Sequence, residues 1–142
     1  MWLGQEVQAL SRRTIRVAAA ALCDARGRVL IAQRPADKHM GGHWEFPGGK
    51  VGALETEPEA LIRELREELG VEAREPQFCL RLTHAYPDRT VELSFWIVRD
   101  FAGVPRGLDA QQLQWVPAAD LARHDILEAD RPFIEALQRL LQ

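Results

Sequence analysis

The segment "RELREELG", Arg63 to Gly70, gathers Glu64, Glu67 and Glu68 immediately before a glycine suited to ending a helix. Acids at that end oppose the helix dipole by roughly 0.3–1 kcal/mol each. Glu64 also repels Glu68 across one turn by about 0.2–0.5 kcal/mol. A positive partner for these acids is therefore expected. Three oxygen-only side chains, with no histidine or cysteine among them, suit a hard cation such as Mg2+ or Mn2+ better than zinc. A solvated acidic face balanced by Arg63 and Arg66, with Arg63 paired to Glu67 or Glu59, explains the same segment. The preceding "WEFPGGKVGALE" weighs toward the cation. Gly48 and Gly49 there permit close backbone approach, and Mg2+ readily takes a carbonyl beside carboxylates and phosphate oxygens.

Positioning those acids falls to a helix with clear ends. Thr56 followed by Glu59 forms a capping box, Pro58 is tolerated in the first turn, and Gly70 suits the left-handed residue beyond the last one. The helix is expected over about Glu57 to Leu69. At 100° per residue the three acids share one arc, and Leu61, Ile62, Leu65 and Leu69 form a stripe turned roughly 120° away. The stripe can pack on a sheet while the acids face a cleft.

Around this helix, "TIRVAAAALCD" and "VLIAQR" read as strands joined by a short loop at Gly27, and "FCLRLTHAYPDRTVELSFWIVRDF" as two more separated by "YPDR". Val91, Leu93, Phe95 and Ile97 alternate with the mixed set Glu92, Ser94, Trp96 and Val98. "LQWVP" is a further short strand. Phe133, Ile134, Leu137, Leu140 and Leu141 have the spacing of a final amphipathic helix. The fold class is α/β or α+β.

With 142 residues, the chain has the length of one domain, expected over 1–142 with residues 1–13 a frayed extension. Its net charge of -3 argues against a basic surface for polynucleotide but allows a small anionic ligand. Cys23 and Cys79 form no ligand cluster and read as core residues in a reducing compartment. His39, His43 and His84 have no zinc-site spacing. Trp44, Phe46, Tyr86 and Trp96 are expected mostly in the core. No apolar run approaches the roughly 18 residues of a membrane span, and no secretory signal opens the chain, so a cytoplasmic protein is expected, with no membrane association and no obligate protein partner.

From Gly49 to Val71 the sequence matches G-x5-E-x7-R-E-U-x-E-E-x-G-U, with Leu65 and Val71 as the apolar U residues. This is the signature of the Nudix hydrolases, and the chain resembles that family. "RPADKHMGGHWEFPGGK", "YPDR", "GVPRG" and "EADRPF" resemble its MutT-type members, so the likeness runs from about Arg16 onward. The resemblance implies a mixed β-sheet sandwiched between α-helices, with a loop-helix-loop catalytic motif. It also implies Mg2+-dependent attack of water on a nucleoside triphosphate, giving a monophosphate and pyrophosphate.

Carried onto this chain, the resemblance makes Glu64, Glu67 and Glu68 metal ligands with the Gly48 carbonyl. Glu64 is the general base and Arg63 orients it. Glu55, at the mouth of the loop, supports the site through water or a second metal, with Gly49 beside it; Lys50 neutralises phosphate or simply faces water, and Asp109 in "GLDAQ" is a further acid able to reach the metal or a plain loop aspartate. Arg34, Glu45, Tyr86 and Asp130 are assigned to the substrate. Asp130 also reads as the N-cap of the final helix; as an ionised acceptor it favours a base edge that offers NH donors. The loop departs from the MutT pattern at Gly52 and Leu54, where an acid is often found. Oxidised nucleotides such as 8-oxo-dGTP are the implied substrates, with CTP-type or other nucleoside diphosphate derivatives as the alternative. A catalytically silent nucleotide-binding module is a further reading, but such a module is expected to lose box carboxylates, and all are present.

Overall fold

A computed structural model of the chain describes residues 13–141. The expected frayed extension lies outside the described residues except at Arg13, which is already in a strand, opposite Arg89. Strand β1 (Arg13–Leu22) is central. It pairs in parallel with β7 (Arg89–Val98) and antiparallel with the short β4 (Gly48–Lys50), and β6 (Gln77–Ala85) completes the order β4-β1-β7-β6. A second sheet has the order β3-β2-β9, from β3 (Trp44–Glu45), β2 (Arg28–Gln33) and β9 (Leu113–Pro117). Strands β5 (Glu72–Arg74) and β8 (Asp100–Ala102) form a small separate ribbon.

Both faces of β1 are buried from Ala18 to Leu22, which explains the run of alanines there. Ala18, Ala20 and Leu22 join Trp96 and Val98 beneath helix α1 (Glu57–Leu69), whose Leu61, Leu65 and Leu69 are fully buried. Ala19 and Ala21 join Phe95 and Ile97 on the other face, under helix α2 (Arg131–Leu140), which supplies Phe133, Ile134 and Leu137. In register, Ala19 stands opposite Phe95 and Ala20 opposite Trp96, so each small residue leaves room for a large neighbour. Each buried leucine of α1 contributes about 1.5–3 kcal/mol of transfer free energy. The sheet is sandwiched between helices, as the resemblance implies.

The first two strands are joined by the turn at Gly27, as expected; they lie in different sheets, with an isolated bridge between Cys23 and Val29. One local expectation changes. Leu140, expected on the apolar face of the final helix, is more than half exposed because that helix ends there. Of the four aromatics expected in the core, Phe46 and Trp96 are buried, whereas Trp44 and Tyr86 are half-buried. Cys23 and Cys79 are free, and burial pushes the Cys23 thiol up to about 11.

Candidate active site

Helix α1 begins at Thr56, whose hydroxyl accepts the Glu59 N–H at 3.2 Å while the Glu59 carboxylate accepts the Thr56 N–H at 2.9 Å. It ends at Gly70, held at φ 71°, a left-handed conformation that glycine adopts without strain. The capping box leaves Glu59 no part in balancing Arg63.

Arg63 is the hub of the acidic face. Its Nε and Nη2 donate to the two oxygens of Glu55 at 2.6 and 2.8 Å. Its Nη1 donates to Glu64 at 3.0 Å and to Glu67 at 3.2 Å, and its Nη2 reaches the Lys50 carbonyl at 3.1 Å. The Glu55 carboxylate, which also accepts the Gly52 N–H, is held down at about 2 by the Arg63 guanidinium and that amide. Glu55 is thus a permanently charged anchor that aims Arg63 at Glu64. The loop does without an acid at Gly52 or Leu54: Leu54 points fully into solvent, and Gly52 serves through its backbone.

The Glu64 side chain is 16% exposed and lies over Gly49. A β-carbon on Gly49 would fall 2.3 Å from the Glu64 carboxyl carbon. Glycine at this position makes the room for the carboxylate. Gly48 is needed for another reason, since its β-carbon would sit 2.0 Å from the Ala18 carbonyl oxygen across the β1–β4 pairing.

Glu68 lies deeper. Burial, then the charges of Glu64, Glu45 and Asp109, push its carboxyl up to about 8, against a hydrogen bond from the Gly48 amide. Asp109 reaches this neighbourhood because its loop is tied to the end of α1. Leu108 N–H donates to the Glu68 carbonyl at 3.1 Å, and Arg106 N–H to the Leu69 carbonyl at 3.0 Å. Gln111, which sequence reasoning missed, adds Nε2 to the Glu68 carbonyl at 3.2 Å. These donors satisfy helix-end carbonyls in the place where the acids oppose the dipole.

A cleft of ≈ 850 Å³ opens over Glu68 and Asp109, with Arg34, Lys38 and Lys50 on its walls. It adjoins a narrower cavity of ≈ 300 Å³ running from Gly48, Gly49 and Glu68 to Tyr86, Leu93 and Asp130. Arg34 donates through Nη1 to Glu45 at 2.9 Å and through Nε to the His39 carbonyl at 2.8 Å. Lys50 has an exposed side chain, and its carbonyl serves Arg63. The Tyr86 ring is tilted against His84 at 4.6 Å, and the Arg89 guanidinium lies 5.1 Å from its centroid.

Asp130 corrects one expectation. It precedes α2 but makes no side-chain capping bond, its backbone being already in the helical region. Instead its carboxylate accepts the Phe46 N–H at 3.2 Å, with the residue only 6% exposed. Burial is the main cause that pushes this carboxyl up to about 7. The folded protein therefore keeps a proton that the unfolded chain releases from about pH 4, and stability falls as pH rises from there to about 7. Asp130→Asn, which cannot ionise, should melt higher relative to the parent at pH 8 than at pH 5. An equal difference at both pH values would remove this contribution.

Among the described residues no three His, Cys, Asp or Glu side chains are placed as a finished cation cage. Glu64 and Glu67 are turned to Arg63. The donor chemistry nevertheless fits a hard divalent cation. Burial first, and then the neighbouring charges of Glu64, Glu45 and Asp109, raise the Glu68 carboxyl, a crowding of negative charge that a cation would relieve, and all the donor atoms are oxygen.

A NUDIX domain model matches residues 18–136. CTP pyrophosphohydrolase of Escherichia coli (strain K12) is 38% identical over 121 residues, 85% of this chain and 90% of that protein. The 8-oxo-dGTP diphosphatase of the same strain is 34% identical over 128 residues, 90% of this chain and 99% of that protein. Among solved structures, that of MutT from a study of Aliivibrio salmonicida and Vibrio cholerae superposes with a TM-score of 0.79 at 35% identity, covering 88% of this chain and 97% of that one. Likeness of this extent, over the loop, helix and cleft just described, places the chain in the Nudix family as a MutT-type hydrolase acting on diphosphate bonds.

Proposed function

We propose that the protein is a Mg2+-dependent nucleoside triphosphate pyrophosphohydrolase of the cytoplasmic nucleotide pool, acting on oxidised nucleotides such as 8-oxo-dGTP. The observation that carries this reading is the junction of the two cavities at Glu68, where a cleft of ≈ 850 Å³ lined by both acids (Glu68, Asp109) and bases (Arg34, Lys50) meets a smaller chamber lined by Leu93, Tyr86 and Asp130. Glu64, Glu67, Glu68 and Asp109, with the Gly48 carbonyl, would hold the cation, for which Mn2+ could substitute. When bound, the cation neutralises phosphate oxygens and acidifies a water molecule.

The chain's own residues supply the rest. Glu64, fixed by Arg63 and lying over Gly49, takes the proton of the attacking water. Arg34 and Lys50 line the phosphate cleft with their positive charges. Glu45 holds Arg34 in place, and Tyr86, packed against His84 and Arg89, walls the base chamber.

Asp130 is the base reader. A carboxyl near neutrality offers a donor and an acceptor together, which replaces the ionised, acceptor-only group expected from the sequence. Ordinary guanine presents acceptors at both N7 and O6, whereas the 8-oxo form carries a hydrogen at N7, so only the oxidised base matches both atoms of such a carboxyl. Cytidine nucleotides are the second reading, because the cytosine amine also meets a carboxylate acceptor, and the relative at 38% identity is a CTP pyrophosphohydrolase. A nucleotide panel with Mg2+, scored for pyrophosphate and phosphate separately, tests the choice. The kcat/KM for 8-oxo-dGTP should exceed those for dGTP and dCTP by about tenfold or more, equivalent to about 1.4 kcal/mol. A panel led by CTP would establish the second reading.

A further inference from the structure

We propose that Gln111 is a positioning residue whose side-chain amide presents Asp109 to the carboxylate centre. The inference rests on the reading above that Asp109 is one of the cation's acids. Asp109 lies exposed on the crossing from β8 to β9, in a loop whose backbone is tied down on both sides of it. Ahead of it, Arg106 and Leu108 tie the loop to the carbonyls of Leu69 and Glu68. Beyond it, the chain must reverse to reach β2, where Gln33 N–H donates to the Gln112 carbonyl at 2.9 Å.

The reversal is tight. Ala110 is left-handed at φ 62°, and its N–H closes a turn onto the Gly107 carbonyl at 3.0 Å. A β-carbon on Gly107 would fall 2.1 Å from the Gln111 carbonyl oxygen. The turn thus brings the Gln111 side chain back over the residues that precede it. Its Oε1 accepts the Asp109 N–H at 2.8 Å while its Nε2 donates to the Glu68 carbonyl at 3.2 Å.

One planar amide therefore links the backbones of two acids. Both ends of the amide are used, so a side chain lacking either the donor or the acceptor loses the link. Glu68 keeps its Leu108 cap when the amide is removed, so the helix end stays closed and only the placement of Asp109 is released. Partners one step behind a ligand typically change metal affinity by about 10–100-fold.

The test uses the full chain without nucleotide and follows free Mn2+ by electron paramagnetic resonance during titration. Gln111→Met, similar in length but without the amide, should weaken Mn2+ binding about tenfold. The Mg2+ concentration needed for half-maximal activity should rise by the same factor, with kcat at saturating Mg2+ close to the parent's. Gln111→Asn, one methylene too short for the span, should behave alike. In an Asp109→Asn background the Gln111 change should add nothing, because its effect passes through Asp109. Normal Mn2+ affinity in Gln111→Met beside weakened affinity in Asp109→Asn overturns the role of Gln111 and leaves the cation reading of Asp109 intact. An equal loss in both backgrounds also overturns it, by showing an effect that does not need Asp109. Normal affinity in Asp109→Asn alone overturns the reading of Asp109, and the inference with it.

Discussion

Glu64→Gln should lower kcat by roughly 10²–10⁴-fold, the range a positioned general base contributes, while the protein stays folded. The amide has nearly the size of the carboxylate and keeps an oxygen to accept from Arg63 Nη1. Arg63 itself remains anchored by both Glu55 oxygens and the Lys50 carbonyl. The change removes one ionic contact among several and should move stability by no more than about 1 kcal/mol. Steady-state turnover at saturating Mg2+ and a thermal melt measure the two quantities side by side. Turnover within a few-fold of the parent would remove Glu64 from the chemistry, and a collapse of the melt would recast it as a structural residue.

The two adjacent glycines should fail in opposite ways. In Gly49→Ala the atoms nearest the new methyl are all in the carboxylate tip of Glu64, with its oxygens at 2.5 and 2.6 Å. A flexible tip swings aside cheaply, so activity should fall as far as in Glu64→Gln with the melting temperature near the parent's. In Gly48→Ala the methyl meets backbone, 2.0 Å from the Ala18 carbonyl oxygen and 2.7 Å from the Ala19 α-carbon. Strand β4 must then pull away from β1, at a cost of about 1–3 kcal/mol for overpacking at a site that cannot yield. A melt and a turnover assay on the pair separate the two roles. An intact Gly48→Ala beside an unfolded Gly49→Ala would contradict the placement of both residues.

Much of this was legible in the chain itself, and the legible parts share a local cause. The bounds of α1, Glu57 and Leu69, follow from the capping box and Gly70, which act within a few residues of themselves. The β6–β7 hairpin around "YPDR" is likewise a short-range feature, and the box acids could be grouped because one helix carries them. What escaped depends on contacts between distant segments. Asp130 pairs with the Phe46 backbone, a partner 84 positions away, so local spacing offered only the cap that it does not make. The sharing of Arg63 between Glu55 and the helix acids required the loop to fold back over the helix. Gln111 carried no signal of its own: a loop glutamine beside Gln112 reads as solvated, and its link to Glu68 became visible only once the loop was seen against the end of α1.

The most direct measurement of the central claim is hydrolysis of 8-oxo-dGTP with Mg2+ in heavy-oxygen water, with both products read by mass spectrometry. Attack of water at the β-phosphorus, with the nucleotide leaving as its monophosphate, predicts one heavy oxygen in pyrophosphate and none in 8-oxo-dGMP. Label in the monophosphate, release of phosphate in place of pyrophosphate, or no turnover of this nucleotide would contradict the account.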